Sequence, residues 1–137
     1  AVNLSSLGVV AHALGEYEQA REYFKRALFM DEELGRKGGI ATSLSRLGLE
    51  TYALGKYAQA REYLIRALAM FEELGYKDGI AVILSSLGDV AHALGEYAQA
   101  REYFQRALAL YEELGQEHKA KVVREKLEQL DQEEISK

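Results

Sequence analysis

Residues 14–28 read LGEYEQAREYFKRAL, and the string returns twice, as LGKYAQAREYLIRAL at 54–68 and LGEYAQAREYFQRAL at 94–108. The spacing is 40 residues each time, and 28 of the 40 positions in 1–40 recur in 81–120. A fixed period of about 20–50 residues marks a stacked array, whose units bury their apolar faces only against their neighbours. Such arrays present extended surfaces rather than enclosed chemistry.

Each unit contains two helical patterns. Leu4, Leu7, Ala11 and Leu14 recur at steps of three or four, so a first helix is expected from about Val2 to Leu14. Gly15 should end it, because glycine accepts the positive φ of a helix terminus. A second helix is expected from near Tyr17 to about Leu34, with Tyr17, Ala20, Phe24, Ala27, Leu28 and Leu34 on its apolar side. Gly35, Gly75 and Gly115 recur at its end. Asp78 is the expected N-cap of the third unit's first helix. Gly35–Gly39 reads as a flexible connector, since it lacks the G-x4-G-K-[ST] spacing of a phosphate loop.

Gly8, Gly48 and Gly88 fall inside helices, where glycine costs roughly 1 kcal/mol relative to alanine. Repetition of that cost implies close approach by the partner helix. Ala20, Ala60 and Ala100 are small at the matching site.

Composition narrows function further. The 137 residues include no proline and no cysteine, so disulfides and thiolate metal sites are excluded. The absence of cysteine fits a reducing, cytoplasmic setting. A net charge of −5 opposes nucleic-acid binding and attraction to an anionic membrane surface. No apolar run approaches the ~20 residues of a membrane span. The chain opens on Ala in mid-pattern, which reads as a piece of something longer. The expected organisation is one domain over 1–137, with repeats at 1–40, 41–80 and 81–115, a capping helix at 116–132 and a frayed tail at 133–137. The tail breaks the sequence period but keeps a stripe of Ala120, Val123, Leu127 and Leu130.

The motif L-x2-L-G-x6-G-x-Y-x2-A-x3-F-x2-AL resembles the tetratricopeptide repeat. It is carried by Leu4, Leu7, Gly8, Gly15, Tyr17, Ala20, Phe24, Ala27 and Leu28, and by the same set 40 and 80 residues on, with Leu64 at the Phe position of the second unit. Leu stands for the family's frequent Trp at Leu4, Leu44 and Leu84. Glu32, Glu72 and Glu112 stand for its helix-ending Pro. The period exceeds the family's usual 34. The long form is similar to repeats in kinesin light chains, spindle-orienting adaptors and bacterial STAND-type regulators. The resemblance implies an all-α solenoid, a right-handed superhelix whose concave side is lined by first helices and holds a protein or peptide segment.

By that resemblance the groove positions are Val2, Ser5, Ser6, Val9 and His12, then Thr42, Ser45, Arg46, Leu49 and Tyr52, then Val82, Ser85, Ser86, Asp89 and His92. Of these, Ser5, Val9, His12, Ser45, Arg46, Leu49, Tyr52, Ser85, Asp89 and His92 are the candidate partner contacts. Leu49 and Tyr52 would supply apolar contact, and Arg46 and Asp89 polarity and register. Only Arg46 and Asn3 approach the family's carboxylate clamp, and its backbone-gripping Asn row is replaced by Val9, Leu49 and Asp89. His12 and His92 read as groove lining, not as metal ligands. No nucleophile is paired with a base at a workable spacing, so no catalytic, metal or cofactor residue is expected.

The sequence therefore reads as a protein-interaction module. The alternative is a structural spacer or self-associating segment of a larger regulator, or a consensus-like array without a ligand. Self-association would run through the uncapped N-terminal repeat.

Overall fold

A computed structural model describes residues 3–136, so Val2, expected in the groove, and Lys137 lie outside the described residues. The described chain is all helix: α1 Leu4–Ala13, α2 Tyr17–Leu34, α3 Lys37–Ala53, α4 Tyr57–Leu74, α5 Lys77–Ala93, α6 Tyr97–Glu113 and α7 Glu117–Ile135. Two compact units divide it, one over 1–74 with α1 to α4, the other over 75–137 with α5 to α7. In the first unit α1 packs on α2, α2 on α3 and α3 on α4. In the second, α5 packs on α6 and α6 on α7. Each is a chain of helix-turn-helix hairpins, the building block of an α-solenoid.

The joints follow from one device. Gly15, Gly35, Gly55, Gly75, Gly95 and Gly115 all take positive φ, between 66° and 78°. At Gly35 the chain reverses so tightly that Arg36 N donates to Asp31 O at 2.9 Å. That bond satisfies a carbonyl the helix end would otherwise leave open. Only Gly35 and Arg36 separate α2 from α3. Lys37, Gly38 and Gly39, expected in a flexible connector, instead form the first turn of α3. The reason is visible at Gly39: a Cβ there would lie 2.5 Å from the Asp31 carboxyl, so glycine lets α3 begin against α2. Asp78 is likewise not the N-cap. Tyr76 holds that place, and Asp78 sits in the first turn of α5, accepting from Gln116 Nε2 at 2.9 Å.

The helical glycines do mark close approach, but to a large side chain. A Cβ on Gly8 would meet the Phe24 ring at 2.5 Å, and one on Gly88 the Phe104 ring at 2.5 Å. At Gly48 the facing group is Leu64, at 2.6 Å. A large side chain therefore lies against bare backbone in each repeat, and Ala20, Ala60 and Ala100 are fully buried.

The C-terminal helix keeps the spacing that its sequence hides. It starts 40 residues after α5, at Glu117, and continues to Ile135, past the expected end at 132. Ala120, Val123 and Leu130 are buried, while His118 is exposed. Lys126 Nζ stands 5.7 Å from the centre of the Phe104 ring, as the Arg46 guanidinium stands 5.5 Å from that of Phe24. Both cations lie 22 residues beyond their ring. α7 thus occupies the seat of a fourth first-type helix, and Glu133 and Glu134, expected in a frayed tail, are helical and ion-paired.

Candidate functional site

The helix-terminal aromatics are the first layer. His12 meets Tyr17 with ring centroids 5.5 Å apart, Tyr52 meets Tyr57 at 5.3 Å, and His92 meets Tyr97 at 5.8 Å. Each pair ties the end of a first helix to the start of its second. Position 12 of each unit is therefore partly scaffold, and its outer edge alone is left to meet a partner.

In the first unit, α1 and α3 share a polar cluster. His12 Nδ1 lies 2.5 Å from Glu50 Oε1. Glu50 is 3% exposed, and its second oxygen is buried without a hydrogen-bond partner. Burial pushes the Glu50 carboxyl above its ordinary pKa, against the pull of His12 and Arg46. Arg46, half-buried over Phe24, leaves its Nε buried without a partner. Ser45 is turned inward, its hydroxyl donating to Ala41 O at 2.8 Å. Around this cluster Val9 and Leu49 are exposed, Ser5 and Tyr52 half-buried. The candidate contacts of this unit thus comprise exposed Val9 on α1 and exposed Leu49 on α3, with His12 held by the Glu50 carboxylate.

In the second unit the corresponding groups are already engaged. Asp89 Oδ1 takes Lys126 Nζ of α7 at 3.0 Å, and His92 Nε2 meets Glu133 Oε2 at 2.6 Å. Burial raises the Asp89 carboxyl pKa, with Lys126 and His92 opposing. Arg101 of α6 holds both Asp131 at 3.0 Å and Glu134 at 2.5 Å. Ser85 is half-buried. Asp89 and His92 are therefore the inner side of the α5–α7 contact, where the sequence reading had them free in a groove.

Sequence reasoning missed Glu50 and Lys126. The signal for Glu50 was present: position ten reads Val10, Glu50 and Val90 across the three units. A lone carboxylate where the other units carry valine points to a designated partner. Among the described residues no group of three or more His, Cys, Asp or Glu could hold a metal ion, and no helix is long and apolar enough to cross a membrane.

The fold and the repeated contacts define a helical-repeat scaffold. A tetratricopeptide repeat family profile matches residues 1–73 and again 39–113, and the chain belongs to that family. Solved structures similar to it include the apo form of RapI, at 23% identity over 88% of this chain with a TM-score of 0.84. The TPR domain of Arabidopsis FLU matches 80% of this chain and 92% of its own, at 24% identity and a TM-score of 0.76. The TPR2AB domain of yeast Sti1, solved in complex with pHSP90, matches 97% of this chain at 21% identity and a TM-score of 0.78. This chain spans 43% of the RapI chain and 46% of the Sti1 chain. No curated protein sequence matches it closely enough to count as a relative.

Proposed function

We propose that the chain is a protein-interaction module, acting in the cytoplasm, whose first unit takes a peptide or partner segment along α1 and α3. The observation that carries this reading is the contrast between the units. Asp89 and His92 are occupied by α7, whereas Val9 and Leu49 are exposed beside His12. Exposed apolar side chains flanked by an oriented polar group are the usual make-up of a segment-binding site. Leu49 and the outer edge of Tyr52 supply contact area, and His12, braced by Glu50, supplies a directional hydrogen bond.

The test is to select peptides from a random displayed library on the full chain. Their affinity is then measured for Leu49→Ser and Tyr52→Ser variants of unchanged helicity. A loss of about tenfold or more, as for truncating an interface anchor, is expected. Unchanged affinity overturns the assignment.

A second reading, self-association through the N-terminal repeat, is favoured by Phe29 and Val10. Phe29 is 64% exposed where the other units carry Ala69 and Ala109, and Val10 is 56% exposed where Val90 is 1%. A recess of about 300 Å³ beside Phe29 is lined by Leu4, Lys25, Arg26 and Met30. Sedimentation of the chain should show a concentration-dependent dimer that Phe29→Lys abolishes, and a strict monomer at millimolar concentration would rule it out.

A further inference from the structure

One pairing rule operates twice in this chain. In the first unit, His12 and Phe24 receive the next helix through a carboxylate, Glu50, and a cation, Arg46. In the second unit, His92 and Phe104 receive α7 through Glu133 and Lys126. The carboxylate follows the cation by four residues in α3 and by seven in α7, spacings that keep both on one helix face.

The occupant of the second face is lightly held. The core of α7 comprises Ala120, Val123 and Leu130, whereas α5 buries Ala81, Ile83, Leu84, Leu87 and Val90. Leu127 is half-buried, and most of the remaining attachment is by polar pairs that face solvent in part. Arg101 reaches Asp131 and Glu134, Arg124 reaches Glu112, and the side chains of Lys126 and Asp89 are each about one-third exposed. Exposed pairs of this kind contribute about 0–1 kcal/mol each and are weakened by salt.

The geometry points to the α5–α6 face, built on His92, Asp89, Arg101 and Phe104, as a helix-docking site whose resident α7 is exchangeable. The incoming partner is an amphipathic helix of another protein carrying Lys or Arg, with Glu four or seven residues later. Phe104 and Asp89 read the cation, and His92 and Arg101 read the acids. This rests on the chain being an interaction module but not on the α1–α3 contacts.

The probe is a fluorescein-labelled peptide of residues 117–135, added to the full chain and followed by anisotropy. The Lys126→Gln/Glu133→Gln variant of the chain should bind the unmodified probe about tenfold more tightly than the natural chain, because its own helix competes less well. A probe bearing the same two substitutions should lose that gain. Equal binding to both chains, no binding to either, or equal binding of the substituted probe overturns the proposal. Should the variant melt, hydrogen exchange on the natural chain decides: α7 amides exchange well before those of α5 and α6, and equal protection refutes exchangeability. Leu49→Ser should leave probe binding unchanged, so failure of the α1–α3 site is distinguished from failure here.

Discussion

Gly88→Ala isolates the packing that builds every unit. Alanine gains about 1 kcal/mol in helix propensity over glycine. The structure sets the opposing cost: the new Cβ would sit 2.5, 2.6 and 2.8 Å from three ring carbons of Phe104. That ring is buried at 1% exposure, with the Lys126 ammonium near its face, so it has nowhere to retreat. Overpacking of this kind costs about 1–3 kcal/mol, and with the ring unable to retreat the upper part of that range applies, leaving a net loss of about 1–2 kcal/mol. For a chain of this length the melting temperature should fall by about 3–8 °C in calorimetry. Gly48→Ala would place its Cβ 2.6 and 2.7 Å from Cδ2 and Cγ of Leu64, an equally buried side chain, and should cost a comparable amount. A melting temperature unchanged or raised by Gly88→Ala would refute the close-approach argument.

Other outcomes follow from the polar clusters. Glu50→Val combined with His12→Leu, which removes both partners of the buried pair, should be neutral or stabilising in urea at neutral pH, by about 1 kcal/mol. A loss beyond about 1 kcal/mol would show the His12–Glu50 pair to be net favourable. Burial raises the folded-state pKa of Glu50 and Asp89, so the folded chain protonates them at higher pH than the unfolded chain does. Their contribution to stability is thus fully present below the ordinary carboxyl value and lost as pH rises through the raised folded values. A Glu50→Gln/Asp89→Asn variant should lose that downward slope above the ordinary carboxyl range relative to the natural chain; identical slopes in urea titrations would contradict it. Lys77→Ala removes an exposed 3.0 Å pair with Glu113 and should change stability by less than about 1 kcal/mol in thermal melts.

Much of this fold is legible in the residues. The 40-residue return of LGxYxQAREY marks the hairpins, and the glycines at the joints state where each helix ends. What resists reading is long-range. Glu50 reaches His12 from 38 residues away, outside any helical period. The seat of α7 is conserved in spacing but not in letters: Arg124 replaces Leu84, and Glu128 replaces Gly88. A repeat search sees a break there, although Lys126 lies over Phe104 as Arg46 lies over Phe24. The start of α3 was obscured for the opposite reason, since Gly38 and Gly39 suggest a loop until the closeness of Asp31 is known. Asp89 and His92 were correctly placed on a first-type helix, and only the helix opposite them shows that they are taken.

The most direct test of the account is amide mapping of the isotope-labelled chain as a library-selected peptide is titrated in. Shifts should concentrate at Val9, His12, Leu49 and Tyr52, with α7 amides unmoved. Shifts confined to the outer faces of α2 and α4, around Glu22 and Glu62, would contradict it.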